Sequence, residues 1–370
     1  MHEIRLRLFD NRVCEQHGNR GMLPCAWPGC ENGIAENQFL EPPILEKFPP
    51  TVYTRCEWPS PLGGSYYSWG NSDLPNWFNA AQTFWNEARR HRLVPDSFPK
   101  VVYHYTSIEG FFGIVEKRSI WLSDFSYLND RRELTYGADT AKEAIRRMAE
   151  KESDPGVLEL LSAWTKDLHM LQNRVCIASF SEENDSLSQW RAYGPLAIGF
   201  ATRALSMHVN QSRLQAVEYR PEIQGKLVDI YLHHLRSAYF ADVSSDRLDR
   251  IPDIYHKIEQ IIELIAFFKD PAFKSENEYR LVYIDRPEVL ESVGLQRPPK
   301  SFRISKGRIV PYVSSVDILP SEDRRFELEI TEIVLGPECD ELLERGVREF
   351  LDAKRLTNVK TRRSLVPLRQ

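Results

Sequence analysis

No stretch of this sequence is apolar enough to cross a membrane, and none has the pattern of a secretory signal. The longest apolar run, residues 261–268, is interrupted by Glu263, whereas a membrane-spanning helix needs about 20 consecutive apolar residues. Residues 1–11 are charged rather than apolar, unlike the start of a signal peptide. These absences predict a soluble, cytoplasmic protein that has no membrane partner.

Cysteine, excess positive charge and the common nucleotide-binding motifs are also scarce or missing. Six cysteines in 370 residues are too few for a disulfide scaffold. A net charge of −5 argues against attraction to nucleic acid by overall charge, although it permits a local basic patch. Neither a G-x-G-x-x-G sequence after a strand nor a P-loop occurs, so these routes to dinucleotide binding are not supported.

Half of the cysteines fall in the first 30 residues, together with a histidine. Cys14, His17, Cys25 and Cys30 have the spacing C-x2-H followed by C-x4-C, and pairs of N and S ligands on short loops are typical of structural zinc sites. A metal would order a Pro- and Gly-rich segment that buries little apolar surface. We predict a structural zinc site, with Cys56 as a substitute ligand; the alternative is a set of reduced, packed cysteines.

The order of apolar segments predicts the fold class. Residues 1–100 are predicted to form an N-terminal extension that carries the zinc site, and residues 101–370 the main domain. Strands and helices are mixed there without regular β-α-β alternation, which favours an α+β fold. Thr106 and Glu109 are predicted to form a capping box at the first helix. The predicted strands are residues 101–106, 120–123, 174–180, 196–200, 276–283, 302–304, 309–313, 326–335 and 358–362, and the longest predicted helices are 157–171, 254–265 and 341–353.

An acidic triplet, Glu276-Asn277-Glu278, begins the strand predicted at 276–283. Residues two apart in an extended chain share a face, so Glu276, Glu278 and Arg280 are expected to point the same way. Two neighbouring carboxylates are costly unless something uses or neutralises them. The triplet is therefore either part of a functional site or a solvated edge that Arg280 neutralises.

Three further apolar strands end in polar residues, namely His104, the pair Ser123 and Asp124, and the sequence from Ser179 and Ser181 to residue 194. Each has an ordinary structural explanation by itself, such as a hydrogen-bonded core histidine or turn serines. Together, the segments YHYTSIEG (103–110), WLSDFSYLND (121–130), SFSEENDSLSQWRAYG (179–194) and FKDPAFKSENEYRL (268–281) resemble a widespread bacterial family of largely uncharacterised proteins over residues 101–315.

The order of His, Ser-x-Ser, a Gly-containing strand and Glu-x-Glu also resembles the ADP-ribosyltransferase fold of bacterial toxins and related enzymes. This resemblance implies a split, antiparallel or mixed sheet with helices. It also implies an enzyme that cleaves NAD between nicotinamide and ribose and transfers ADP-ribose to a protein or nucleic-acid acceptor. The chain departs from the pattern at His104, where many toxins have arginine, and in having Ser-Phe-Ser rather than Ser-Thr-Ser.

The same resemblance implies roles for individual residues. Glu278 would contact the ribose, Glu276 would orient or deprotonate the acceptor, and His104 would bind a ribose hydroxyl. Close approach of the two carboxylates is expected to raise one of their pKa values, which suits a base. The predicted NAD-binding residues are His104, Tyr105, Thr106, Trp121, Ser123, Ser179, Ser181, Gln189, Trp190, Arg191 and Tyr193. Among them, the two serines of Ser-Phe-Ser would steady Glu278, and Arg191 would meet the pyrophosphate. Trp190 or Tyr193 would stack on nicotinamide, with Trp121 as a further candidate.

Two alternatives stay open. The first is NAD hydrolysis without an acceptor. The second, from a different class, is a zinc-containing nucleic-acid-binding protein without catalysis, which the Cys/His cluster favours and the net charge disfavours. A toxin or phage-defence role with an antitoxin partner rests on fold-level analogy alone. The nucleic-acid alternative would also use the basic C-terminal residues Lys354, Arg355, Lys360, Arg362, Arg363 and Arg369.

Overall fold

The computed structural model divides the chain into two compact units. One comprises Met1–Arg92 with His233–Ile254, and the other comprises Leu93–Leu232 with Tyr255–Gln370. The predicted division at residue 100 stays a prediction. The structure describes residues 51–56, 66–71, 88, 93, 98–127, 132–168, 174–206, 212–244, 258–285, 297–305, 307–318 and 328–367.

In the smaller unit, β1 (Thr51–Cys56) and β2 (Tyr66–Asn71) form an antiparallel pair. The four predicted zinc ligands, Cys14, His17, Cys25 and Cys30, lie outside the described residues. Within the described part of the chain, no group of three or more His, Cys, Asp or Glu side chains could hold a metal ion. Structural zinc is therefore still a prediction.

Ten strands of the larger unit form one sheet within the described residues. Its order is β12-β11-β6-β3-β5-β4-β10-β9, while β8 pairs with β5 and with β7. The β11–β12 pair is parallel and the other described pairs are antiparallel, so the predicted α+β class with a mixed sheet is confirmed. The strands are β3 (Val101–Thr106), β4 (Trp121–Asp124), β5 (Val175–Ser181), β6 (Leu196–Ala201), β7 (Ser212–Ala216), β8 (Glu278–Ile284), β9 (Lys300–Ser305), β10 (Arg308–Ser314), β11 (Ile330–Leu335) and β12 (Lys360–Arg363).

Side-chain caps define where several of the helices begin. Asp154 accepts a hydrogen bond from the Val157 backbone N–H, and Asp340 accepts one from that of Leu343. Among the described helices, none combines the length and apolar character that crossing a bilayer requires. The helices are α1 (Ile108–Lys117), α2 (Arg132–Ala149), α3 (Pro155–Asp167), α4 (Leu187–Tyr193), α5 (Thr202–Ser206), α6 (Pro221–Ser244), α7 (Ile258–Ile265), α8 (Ser315–Ile318) and α9 (Glu341–Ala353), and the 3₁₀ turns are Phe125–Tyr127 and Pro271–Glu276.

The start of α1 corrects one prediction. Its N-cap is Ser107, whose hydroxyl accepts from the Gly110 N–H, so the predicted capping box at Thr106 is wrong by one residue. Thr106 is instead the last residue of β3, because the extended chain continues up to the cap.

Cross-strand register assigns the side chains of the sheet to two faces. Val102, Phe180 and Ile198 belong to the main apolar core together with residues of α1 and α9, and we call this side the α1 face. Tyr103 and Tyr105 form a second cluster with Trp190 of α4, and we call this side the α4 face. Because side chains alternate along a strand, these two clusters cover opposite sides of the same sheet.

The sheet divides beside β5. One edge of β5 pairs with β8 along its whole length. The other edge pairs with β4 at Cys176 and Ile177 and with β3 at Ser181. Residues 178–180 therefore have no partner on that edge among the described strands, and we call this gap between β3 and β4 the split.

Candidate functional site

The strands that carry the His, Ser-x-Ser and Glu-x-Glu motifs are neighbours in the order β3, β5 and β8. Ser181 pairs with Tyr103 on one side and with Glu278 on the other. Neighbouring strands lie about 4.8 Å apart, so motifs that are distant in the sequence meet within a few strand spacings.

The side chains of His104 and Glu278 nevertheless lie on different faces. Glu278 is in register with Ser181, which is in register with Tyr103, so it belongs to the α4 face. His104 is in register with Ile198, and its ring lies 5.8 Å from that of Phe180, so it belongs to the α1 face. The two groups therefore do not face a single hollow on one side of the sheet.

Glu278 is held in a buried group of charges that we call the carboxylate cluster: Lys269, Glu276, Glu278 and Arg280. Its Oε1 accepts from Arg280 Nε at 2.8 Å, and its Oε2 accepts from Arg280 Nη2 at 3.1 Å and Lys269 Nζ at 2.8 Å. Lys269 also donates to Glu276 Oε2 at 2.8 Å. The ammonium group thus joins the two carboxylates, and Arg280 is the neutralising partner that the sequence offered as one explanation.

Glu276 reaches this cluster in a different way from the one predicted. It ends a 3₁₀ turn that begins at Pro271, and Asn277 then adopts a left-handed conformation with φ 41° before β8 starts at Glu278. The expectation that Glu276 belongs to the strand is therefore wrong. The Ser181 hydroxyl fixes the turn by donating to the Glu276 carbonyl at 2.7 Å, which is a supporting position for a serine of the Ser-x-Ser motif.

The rise in pKa that was expected for one of the two carboxyls does not occur at Glu278. Desolvation is the largest influence and would raise the pKa of this carboxyl. Attraction to Arg280 and Lys269, together with their hydrogen bonds, outweighs it and lowers the pKa to about 2. Glu278 is consequently ionised at neutral pH and serves as a fixed negative charge rather than as a proton carrier.

His104 occupies the split. Its Nδ1 lies 2.8 Å from the Ser179 carbonyl oxygen, and since a carbonyl only accepts, Nδ1 carries the proton. Burial is the main influence on the imidazole and, together with the charge of Arg303, lowers its pKa to about 4 despite the bond to Ser179. The ring is therefore neutral at pH 7, and Nε2 has a lone pair that can accept a hydrogen bond.

Arg303 of β9 is a site residue that the sequence analysis did not identify. Its Nη2 donates to the Ser123 hydroxyl at 2.9 Å, and its guanidinium lies 5.8 Å from the centre of the Trp121 ring. We call Trp121, Ser123 and Arg303 the Arg303 group. Ser123 is in register with Ile177, two residues before Ser179, so this group lies on the α4 face, as Glu278 does.

The segment predicted to stack on nicotinamide is packed into the protein instead. Trp190 is buried, its ring lies 4.6 Å from that of Tyr105, and its Nε1 donates to Asp185 Oδ1 at 2.9 Å. The Tyr105 hydroxyl donates to the Glu183 carbonyl and accepts from the Ser186 N–H. These contacts give Trp190 and Tyr105 a structural role, in which they hold the loop between β5 and α4.

The other predicted NAD-binding residues vary in accessibility. Gln189 and Thr106 are buried, Arg191 is exposed and Tyr193 is partly buried against the Trp190 cluster. Gly194 has φ 136°, and a Cβ there would lie 2.5 Å from the Thr106 carbonyl oxygen, so only glycine fits this close approach. Trp121 and Ser179 keep partial exposure, as His104 does, so these three residues remain open to contact with a ligand.

Comparison with known proteins found a similarity over part of the chain. No curated protein and no solved structure matches the chain. The comparisons show no resemblance to ADP-ribosyltransferases, which stays a prediction. Residues 189–281, about a quarter of the chain, match the family described as "Protein of unknown function (DUF2971)". This segment is therefore similar to an uncharacterised family, which supports in part the resemblance predicted for residues 101–315.

Proposed function

We propose that this protein is an NAD-dependent ADP-ribosyltransferase whose acceptor is a macromolecule. The observation that carries the proposal is the pairing of Ser181 with both Tyr103 and Glu278, which makes the three motif-bearing strands consecutive in the sheet. By register and alternation, Ser123, Ser179 and Ser181 share the α4 face with Glu278. This face therefore carries most of the polar residues that the proposal needs.

Glu278 has the properties of a group that binds a ribose hydroxyl. An ionised carboxylate offers about four acceptor positions, and three are taken by Arg280 and Lys269. One position on Oε1 is left for a hydroxyl donor. Because its charge is constant, Glu278 stabilises positive charge that develops on the ribose as the glycosidic bond weakens.

The proposed reaction exchanges one bond to the ribose for another. The bond between C1 of the ribose and the nicotinamide nitrogen breaks, and nicotinamide leaves with the bonding electrons as a neutral base. An acceptor nucleophile forms the new bond to C1 and gives its proton to Glu276 or to water. Glu276 suits this outer role because its side chain is 19% exposed, compared with 5% for Glu278.

His104 contributes from the split in this proposal. Its neutral ring accepts a hydrogen bond at Nε2, whereas Nδ1 stays bound to the Ser179 carbonyl. Since its ring lies on the α1 face, His104 binds a part of the dinucleotide that enters the split, while Glu278 acts on the ribose at the α4 face. NAD would therefore pass between β3 and β4.

The proposal is tested with NAD labelled in its adenylate half, incubated with the pure protein and bacterial lysate as a source of acceptors. We expect label to become attached to macromolecules, and Glu278→Gln to lower this transfer by about a hundredfold or more, as for loss of one preorganised electrostatic group. Glu276→Gln is expected to reduce transfer more than NAD cleavage. Each variant is first checked for a cooperative unfolding transition, because Glu278 also neutralises buried cations.

Three outcomes are informative. Equal transfer by folded Glu278→Gln and by the wild type would remove Glu278 from the reaction. Failure of the wild type to consume NAD would reject the enzymatic proposal. Release of free ADP-ribose with no attached label would replace the transferase by an NAD glycohydrolase that uses the same residues.

A further inference from the structure

The Arg303 group contains a half-buried cation that has no counterion among the described residues. Among the described residues, no carboxylate is paired with Arg303, and its one hydrogen bond is the donation from Nη2 to Ser123. Its Nε is buried and has no hydrogen-bond partner. Burial lowers the pKa of this guanidinium. An uncompensated buried charge is costly, so its retention calls for an explanation.

Trp121 adds a second unsatisfied donor next to the first. Its indole Nε1 is buried and without a partner. The Arg303 guanidinium lies 5.8 Å and the Lys117 ammonium 5.9 Å from the centre of the indole ring, and the ring of Tyr312 lies 5.0 Å from it. The partly exposed Trp121 side chain therefore has an unsatisfied N–H of its own. The unsatisfied Arg303 N–H and the positive charges of Arg303 and Lys117 lie close to it.

The described parts of the sheet offer an internal comparison. Lys269 and Arg280 are more deeply buried than Arg303, and both are bound to Glu278. These two buried cations, which stabilise the fold, are thus each paired with a carboxylate. In the Arg303 group the one acceptor among the described residues is the neutral hydroxyl of Ser123, and no carboxylate is present, which is the arrangement expected when a ligand brings the negative charge.

We propose that Trp121, Ser123 and Arg303 form a binding site for a phosphate-type anion beside the split. The guanidinium has a planar fork that matches two oxygens of a phosphate. The indole N–H adds a third donor, and Lys117 supplies long-range attraction from the last turn of α1. The oxygens of a phosphate accept hydrogen bonds from several donors. An ionised phosphate oxygen donates none, so it needs no acceptor in the site, and this fits a group made up mostly of donors.

The phosphate that binds this site belongs to a larger ligand in the proposed function. The site lies on the same face as Ser179 and Glu278, so the pyrophosphate of NAD is the source that agrees with the proposed function, and this assignment rests on that function. The anion site itself does not, because it follows from the unsatisfied donors alone.

The experiment compares the binding of inorganic pyrophosphate, ADP-ribose and NAD by isothermal titration calorimetry to the wild type and three variants. Arg303→Gln removes the charge, Trp121→Phe removes the indole N–H and keeps a ring, and Arg308→Gln is the control, since Arg308 is an exposed arginine on the neighbouring strand β10. We expect Arg303→Gln to weaken pyrophosphate binding about tenfold or more, as for a lost charge-assisted hydrogen bond, and Trp121→Phe to weaken it about threefold. Arg308→Gln should differ from the wild type by less than about twofold.

The outcomes separate this proposal from the function proposed above. If the wild type does not bind pyrophosphate, or if Arg303→Gln and Arg308→Gln weaken its binding equally, the anion site is rejected. If Arg303→Gln weakens binding of pyrophosphate, ADP-ribose and NAD alike, the site and its assignment to the dinucleotide are both supported. If it weakens binding of pyrophosphate alone, or if NAD binds but is never cleaved, the anion site stands and only its link to NAD cleavage fails.

Discussion

The carboxylate cluster and the Arg303 group are two charged regions on one face of the sheet, and they differ in how their charges are satisfied. In the carboxylate cluster, Glu278 accepts three hydrogen bonds from two cations, and Arg280 further donates to the Ala266 carbonyl at 2.7 Å. In the Arg303 group, two buried N–H groups have no acceptor. The cations of the first region have a carboxylate as their partner, whereas the cation of the second has none among the described residues.

This difference shows why burial and charge alone do not identify a functional residue. A closed network of ion pairs stabilises one arrangement of the fold, and removing one member leaves the others uncompensated. An open set of donors costs stability until a ligand satisfies it. Substitutions in the two regions should therefore change the free energy of unfolding by very different amounts.

The largest effect is expected in the carboxylate cluster. Glu278→Ala removes the carboxylate that both buried cations contact and leaves Lys269 with Glu276, so the free energy of unfolding should fall by about 3–5 kcal/mol. Urea unfolding followed by circular dichroism measures the change. Arg308→Ala on the protein surface is the control and should change stability by less than about 0.5 kcal/mol.

A small effect of Glu278→Ala would contradict this account, because it would mean that the cations of the cluster are free to reach solvent. The result also bears on catalysis. If the loss is as large as expected, activity lost in Glu278→Ala would not separate catalysis from folding, and Glu278→Gln in its folded state is the informative variant.

The next effect is a dependence of stability on pH that arises from His104. The folded state holds its pKa at about 4, below the ordinary 6.5, so the unfolded chain binds a proton between these values that the folded chain does not bind. Stability should therefore fall as the pH drops from about 6.5 to about 4, by about 2 kcal/mol after allowance for partial exposure of the ring.

His104→Asn is the matched variant for this measurement. Its amide nitrogen can replace Nδ1 at the Ser179 carbonyl, but it does not titrate. Urea unfolding at several pH values should show a smaller loss of stability in the variant over this range. The contribution of Glu278 is lost at lower pH, as the pH falls from its ordinary 4.5 towards about 2. Parallel curves for the two proteins between about pH 6.5 and about pH 4 would contradict the assignment to His104.

Local sequence patterns predicted much of the sheet and the capped helices. Strand β3 and helix α9 have the bounds that were predicted, because an uninterrupted apolar run and the periodic residues after Asp340 define them. The sequence analysis missed α6, a helix of 24 residues. Some apolar residues of α6, such as the exposed Val243, lie outside the buried face of the helix. The apolar residues therefore do not recur with a clear helical period along this segment, which is the pattern that would have predicted the helix.

The candidate site could be predicted less well, since it depends on which residues meet across strands. The pairing of Glu278 with Arg280 follows from the two-residue period of a strand. The position of Glu276 does not, although Asp270 and Pro271 are a recognisable start of a helical turn that could have indicated it. Lys269 and Arg303 join their sites through tertiary structure, which spacing along the chain does not specify.

The smallest effect on stability is expected at Arg303. Arg303→Met keeps an unbranched side chain against Trp121 and removes a buried N–H that has no partner, which should stabilise the protein. It also removes the hydrogen bond to Ser123, which should cost a similar amount, so stability should stay within about 1 kcal/mol of the wild type. Urea unfolding of Arg303→Met beside Glu278→Ala gives the comparison directly. A loss as large as that of Glu278→Ala would show that Arg303 has a counterion within the protein, in which case the Arg303 group would be a second closed network and not a site that needs an anion from outside.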